Sequence, residues 1–162
     1  MSRFSEPAWS VWENDVALSI GGSKVRASGR FSMFKGDVKT GAVMVDCKHT
    51  ETGGYAVTAD FWKKLSSWAV NEGREPVIAV RMDGCRDGRS EVAVVNELFY
   101  NQISSSGFDT GSKEPKRQKQ KTVSDKHSGN EPTVFSVGPF RLVAYSFEAF
   151  VEDLVGYESE AI

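Results

Sequence analysis

Three residues in this chain are the best suited to chemistry: Asp37, and the pair Asp46 and Lys48 in the run Val45-Asp46-Cys47-Lys48-His49-Thr50. Hydrolysis of a phosphodiester needs a metal ion held by oxygen ligands, a positioned water, and positive charge near the developing pentavalent phosphorus. Two carboxylates on paired strands can converge on one hard cation such as Mg²⁺, which keeps several waters and takes few protein ligands. A lysine two residues beyond the second carboxylate falls on the same strand face, about 7 Å further along. From there it can reach the attacking water or a phosphate oxygen. A spacing of one or three would send it to the opposite face. As a local pattern, a hairpin with solvent-facing charges has the same alternation, so the weight rests on the surrounding elements.

Those elements can be read in order. Pro7 suits the first turn of a helix from about Ala8 to Ile20, with Ser5 or Glu6 as its cap. Trp9, Trp12, Val16 and Ile20 recur on one face, and Gly21-Gly22 closes the helix. Glu13 falls near the middle of that apolar face, where a carboxylate is costly to bury unless a metal or Lys48 meets it. A helix-edge glutamate beside an imperfect stripe is the alternative. Asp15 points to the polar side.

Lys39-Thr40-Gly41-Ala42 reads as a turn between a short strand at Asp37–Lys39 and a longer one at Val43–His49. Alternation puts Val43, Val45 and Cys47 on one face, with Met44, Asp46, Lys48 and Thr50 on the other. After Gly53-Gly54, Thr58 caps a second helix with an apolar face of Phe61, Leu65, Trp68 and Ala69. Strands are predicted at Pro76–Met82 and Glu91–Val95, separated by a loop around Asp83-Gly84 and Asp87-Gly88. A short helix follows at Glu97–Ile103. Residues 104–132 are dominated by Ser, Gly, Lys, Gln and Asp and read as a mobile insertion. Short strands at Thr133–Val137 and Arg141–Ala144, and a last helix capped by Ser146, complete the same domain.

Composition narrows the function classes. Hydrophobic residues make up 40% of 162 positions, enough for a core, and no apolar run approaches the roughly 20 residues of a membrane span. The N-terminus lacks the pattern of a signal peptide, so a cytoplasmic location is expected. Cys47 and Cys85 make neither a disulfide framework nor, with His49 and His127, a zinc pattern. Ile20-Gly21-Gly22-Ser23-Lys24 lacks phosphate-loop spacing. A net charge of −2 gives no global sign of nucleic-acid binding.

Gly36-Asp37 followed by Asp46-Cys47-Lys48 resembles the active-site signature of the PD-(D/E)xK nuclease superfamily, nearest to its small phage and archaeal Holliday-junction-resolvase-like branch. That branch has a helix with a glutamate, a Ser-Gly step, GD, a strand ending in (D/E)xK, a helix with a lysine before an apolar residue, and a strand. Glu13, Ser28-Gly29, Gly36-Asp37, Asp46-Cys47-Lys48, Lys64-Leu65 and Pro76–Met82 follow in that order, covering about residues 6–82. Two positions depart: Gly36 stands where the family has Pro, and Asp46 where Glu is commoner.

The resemblance implies an α/β fold with a restriction-endonuclease-like core, a central mixed β-sheet flanked by α-helices. It further implies Mg²⁺-dependent cleavage of DNA, with Mn²⁺ substituting. Asp37, Asp46 and the main-chain carbonyl of Cys47 would bind metal, and Glu13 would add a carboxylate directly or through water. Lys48 would activate the water. A homodimeric resolvase of branched DNA is the first expectation. A phage endonuclease on duplex DNA, or a non-catalytic DNA-binding module, are the alternatives. Arg26, Ser28, Arg30, Lys35, Thr50 and Lys64 are the expected DNA contacts, each of which also reads as an ordinary exposed residue. Lys113–Lys121 is either a basic arm along DNA or a solubilising loop.

Overall fold

Helix α1 (Ala8–Ile20) starts after Pro7, and Gly21 closes it with a left-handed φ of 67° and an N–H donated to the Ala17 carbonyl. The computed structural model that gives this architecture describes residues 5–25, 36–104, 116–129 and 131–160. Neither Ser5 nor Glu6 caps α1. Pro7 holds the cap position without a side-chain bond, and the Glu6 carboxylate accepts from Ser10 Oγ and Asn14 Nδ2. Trp12, Val16 and Ile20 are buried as expected, whereas Trp9 is 56% exposed because it lies off the stripe that meets the sheet.

Strands β1 (Ser23–Lys24), β2 (Val38–Lys39) and β3 (Val43–Thr50) form an antiparallel run. The hairpin between β2 and β3 is closed by Thr40, whose hydroxyl accepts the N–H groups of Ala42 and Val43. Next come β4 (Gly54–Thr58) and helix α2 (Ala59–Asn71), with the Thr58 hydroxyl accepting the Phe61 N–H at 3.2 Å. Helix α2 is a crossover, so β5 (Glu75–Cys85) returns parallel to β3. Trp62, not Phe61 or Trp68, joins Leu65 and Ala69 as its fully buried set.

Strands β5 and β6 (Gly88–Asn96) are longer than their apolar runs, and most of the loop expected between them is strand. Helix α3 (Glu97–Ile103) follows. The remainder is β7 (Arg117–Gln118), β8 (Gln120–Ser124), a 3₁₀ turn at Asp125–Ser128, β9 (Thr133–Val137), β10 (Phe140–Ser146) and α4 (Phe147–Glu160).

Among the described residues, eight strands make one mixed sheet in the order β1-β2-β3-β5-β6-β10-β9-β7. Helices α1, α3 and α4 bury Trp12, Phe99, Phe147 and Phe150 on one face. On the other face, α2 packs with Trp62 and Leu65 beside a second, two-stranded sheet of β4 and β8. The chain is thus α/β, with a central mixed sheet flanked by helices. The segment 104–132 departs from expectation: of its described residues, Val123 is fully buried and β8 pairs with β4 along its length. Its polar letters hid a strand that buries one side chain and takes its stability from a partner strand. No described helix is long and apolar enough to cross a membrane.

Candidate active site

The site is built where β2 stops and β3 goes on. Antiparallel pairing of β2 with β3 covers Val38 opposite Val45, and the Asp37 N–H still donates to the Val45 carbonyl at 2.8 Å. One step further along β3, the Asp37 side chain takes over. Its Oδ2 accepts the Cys47 N–H at 2.8 Å, satisfying a donor that a partner strand would otherwise meet. Strand alternation sends the Cys47 carbonyl to the same side as its N–H. That carbonyl therefore faces the edge of β3 where Asp37 sits.

Gly36 makes this placement possible. Its φ is +78°, and a Cβ there would come 2.5 Å from Met44 Cγ. Proline, fixed near −65°, could not adopt this backbone. A glycine rather than a proline before Asp37 thus has a local geometric reason.

The side chains of β3 divide as their alternation requires. Val43, Val45 and Cys47 join the core under α1, and Met44 joins the core under α2. Asp46 and Lys48 share the α2 side, with Lys48 Nζ 3.2 Å from Asp46 Oδ1. Lys48 also lies over the Phe61 ring, 4.6 Å from its centroid. Tyr55 on β4 closes the same corner.

Asp46 is only 8% exposed. Burial lifts its pKa to about 7, Lys48 partly opposes this, and Asp37 adds repulsion. Burial works against the Lys48 ammonium, but Asp46, Tyr55 and Asp37 outweigh it and hold the pKa above the usual lysine value. The Tyr55 phenol is pushed up chiefly by burial, with Lys48 opposing and Asp46 assisting.

Glu13 reaches the site from the α1 side. It is 7% exposed, and its pKa is raised by burial first and by Asp37 second. The cation that meets it is Lys24 on β1, with Nζ 3.3 Å from Glu13 Oε2, and not Lys48. The Cys47 thiol lies among all three acids. Burial raises its pKa furthest, followed by Asp37, Asp46 and Glu13. Asp37 is therefore the charge common to Asp46 on one side of the sheet and Glu13 on the other.

Oxygen donors of this kind, desolvated and mutually repelling, suit a hard divalent cation. Among the described residues no three His, Cys, Asp or Glu side chains are gathered closely enough to hold an ion by themselves. A coordination shell here would need the Cys47 carbonyl and water as well as the carboxylates.

The structure brings Glu13, Asp37, Asp46, Cys47 and Lys48 to one region. Two of the expected DNA contacts lie on the elements that carry the cluster or border it, Thr50 two residues beyond Lys48 on β3 and Lys64 on α2. The Thr50 hydroxyl accepts the Thr52 N–H in a local turn, and Lys64 is on the exposed side of α2, whose Phe61 is the residue that reaches Lys48. Arg26, Ser28, Arg30 and Lys35 lie outside the described residues. Lys24, Tyr55 and Phe61 escaped the sequence reading because their roles depend on contacts across elements.

Arg81 was also missed. Buried on β5, it bridges Asp15 and Glu91 at 2.7 Å each and lies over Trp12. Asp15, expected to be solvated, is thereby tied to the sheet.

No protein-family model matches the chain, and no curated protein matches it.

Proposed function

We propose that this protein is a metal-dependent endonuclease that hydrolyses DNA phosphodiesters. The observation that carries the reading is the meeting of Asp37 with the Asp46–Lys48 pair where the described β2 stops and β3 goes on, with Glu13 brought to the same place by α1. Support also comes from order along the chain. A helix bearing Glu13, Gly36-Asp37, the strand with Asp46-Cys47-Lys48, a crossover helix and a parallel strand follow as the resemblance leads one to expect.

Asp37, Asp46 and the Cys47 carbonyl would hold Mg²⁺, and Glu13 would contribute directly or through water. The cation supplies Lewis acidity and a lowered pKa for a bound water. Asp46 must shed its proton to act as a ligand, and Lys48 at 3.2 Å favours that charged form. Lys48 in turn keeps its own charge and offers N–H donors to the water and to the transition-state phosphoryl oxygens. Asp37, fixed by the Cys47 N–H, presents its other oxygen without having to reorganise. The hydrolysis breaks P–O3′ and leaves a 5′-phosphate and a 3′-hydroxyl.

Within this class we place a homodimeric resolvase of branched DNA first, since paired cuts across a four-way junction require two sites related by a two-fold axis. That preference rests on the sequence resemblance. An endonuclease acting on duplex DNA has the same site.

Supercoiled plasmid, linear duplex and a synthetic four-way junction, each incubated with Mg²⁺ or EDTA, test the reading. Metal-dependent cutting that disappears in Asp46→Ala is expected. Cutting that survives in that variant sinks the site, and equal cutting of duplex and junction sinks the resolvase preference. Binding without cutting in any divalent metal identifies a non-catalytic module instead.

A further inference from the structure

The elements packed on the two faces of the sheet differ in charge, although Lys24, Arg81 and Arg141 of the sheet pair with Glu13, Asp15 and Glu97 of the helices. Helices α1, α3 and α4 together hold eight acidic side chains and no lysine or arginine. Glu148, Glu152 and Glu160 of α4 are exposed. The other face is basic. Lys63 and Lys64 are exposed on α2, and Lys116, Arg117 and Lys119 are exposed on and beside β7, where the chain turns into β8. Lys121 and Lys126 lie close enough to the buried His127 for both to disfavour its protonation, after the larger effect of burial. Only Asp60 and Asp125 interrupt this set within α2, β7, β8 and the 3₁₀ turn. A net charge of −2 for the whole chain does not reveal this local segregation.

The basic face is also the one onto which Asp46 and Lys48 project. Strand β8 pairs with β4 in a register that sets Tyr55 opposite Val123 and Val57 opposite Lys121. Tyr55 of that ribbon stands beside Lys48 and Asp46. The ribbon thus links the basic segment physically to the candidate site.

We infer that the face formed by α2, β7 and the β4–β8 ribbon is the docking surface for a nucleic-acid backbone, and that the acidic helices keep the backbone off the opposite face. This rests on the nuclease reading for its choice of polyanion, while the surface itself is defined by charge alone. A phosphate backbone fits because a track of spaced cations releases condensed counterions for each phosphate it neutralises. Against an acidic protein, the repetitive and exposed nature of the lysines offers no shaped pocket.

The test is fluorescence anisotropy with a short labelled duplex and a labelled four-way junction in EDTA, where hydrolysis cannot occur, over a range of salt. The triple change Lys116→Gln, Arg117→Gln and Lys119→Gln is expected to weaken binding about tenfold or more at low salt. It should lower the slope of log affinity against log salt by about 2 to 3. The matched change Glu148→Gln, Glu152→Gln and Glu160→Gln should leave the slope unaltered. Thermal unfolding of both variants checks that the fold is kept.

A wild-type slope in the basic triple variant overturns the surface, as does a larger effect from the acidic set. Competition by poly-glutamate at equal charge concentration overturns nucleic acid as its occupant. Normal binding with no cleavage in any metal leaves this surface standing and removes the nuclease reading; normal cleavage with unchanged salt slope does the reverse.

Discussion

The Asp37 carboxylate accepts the main-chain N–H of Cys47 at 2.8 Å, so one oxygen of a candidate metal ligand serves as a surrogate strand partner. The two duties can be separated. Asp37→Asn retains an oxygen acceptor and is expected to unfold within about 1 kcal/mol of the wild type, yet to lose metal-dependent cleavage. Asp37→Ala should lose cleavage and also about 1–2 kcal/mol of stability, because the Cys47 donor is left unmet. Thermal unfolding beside plasmid nicking reads both. A stable, active Asp37→Asn would remove Asp37 from the site.

Asp46 gives a pH prediction with a definite sign. Its ordinary pKa is 3.8 and its folded value is about 7. Between those values the folded chain holds a proton that the unfolded chain releases, so this group's contribution to stability falls as pH rises through the window. Asp46→Asn removes that cost. The variant is expected to be more stable than the wild type at pH 8 by about 1–3 kcal/mol, with the gain vanishing near pH 4. An unfolding series across this range checks it. A gain that instead grew toward acid would reverse the assignment.

Metal should act on the same carboxylate. Mg²⁺ at about ten times its dissociation constant is expected to raise wild-type stability by about 1.4 kcal/mol. The effect should weaken below pH 7, where protons compete for Asp46, and be absent in Asp46→Asn and Asp37→Asn. Equal stabilisation of all three proteins would mean that the ion binds elsewhere.

Half-buried Lys48 and buried Arg81 are both cations beside acids, but their expected phenotypes differ. Lys48→Met should cut the cleavage rate by about a hundredfold or more, as loss of a charge-stabilising donor does. It should also shift the acid limb of the pH–rate profile upward, since Asp46 loses the charge that favours its ionised form. Arg81→Met breaks the Asp15 and Glu91 pairs and is expected to cost about 2–3 kcal/mol, tempered by the partial exposure of both acids. Its pH–rate profile should keep its shape.

Gly36→Ala tests the approach to the site. A left-handed φ and the nearness of Met44 Cγ combine there, so destabilisation of about 1–3 kcal/mol is expected, together with loss of cleavage as Asp37 is displaced. Undiminished cleavage in a soluble, folded Gly36→Ala would show that the turn does not set Asp37.

Local pattern was enough for α1, α2, α3 and the β2–β3 hairpin, because each has a periodic apolar stripe or a turn with specific chemistry. Asp46 and Lys48 were legible for the same reason: a period of two needs no tertiary knowledge. Glu13 announced itself as a charge in an apolar stripe, yet its partner was misjudged. Lys24 belongs to a two-residue strand that only pairing creates. Strand β8 was missed because a single inward side chain, Val123, is too little signal against the four polar residues that make up the rest of the strand. Tyr55 went unseen with it, since β4 owes its pairing to β8.

The β4–β8 pairing has a consequence for the order of assembly. Its two strands come from distant stretches of chain, so their union closes a long loop, as does the pairing of β6 with β10 in the main sheet. During synthesis the helices and strands through α3 can gather before β8 has been made. The wall holding Tyr55 against Lys48 is therefore complete only once β8 has been made. Amide exchange at β4 and β8, a separate two-stranded sheet, is expected to outpace that at β3 and β5 within the eight-stranded one, so that the candidate catalytic corner would loosen from the ribbon side first.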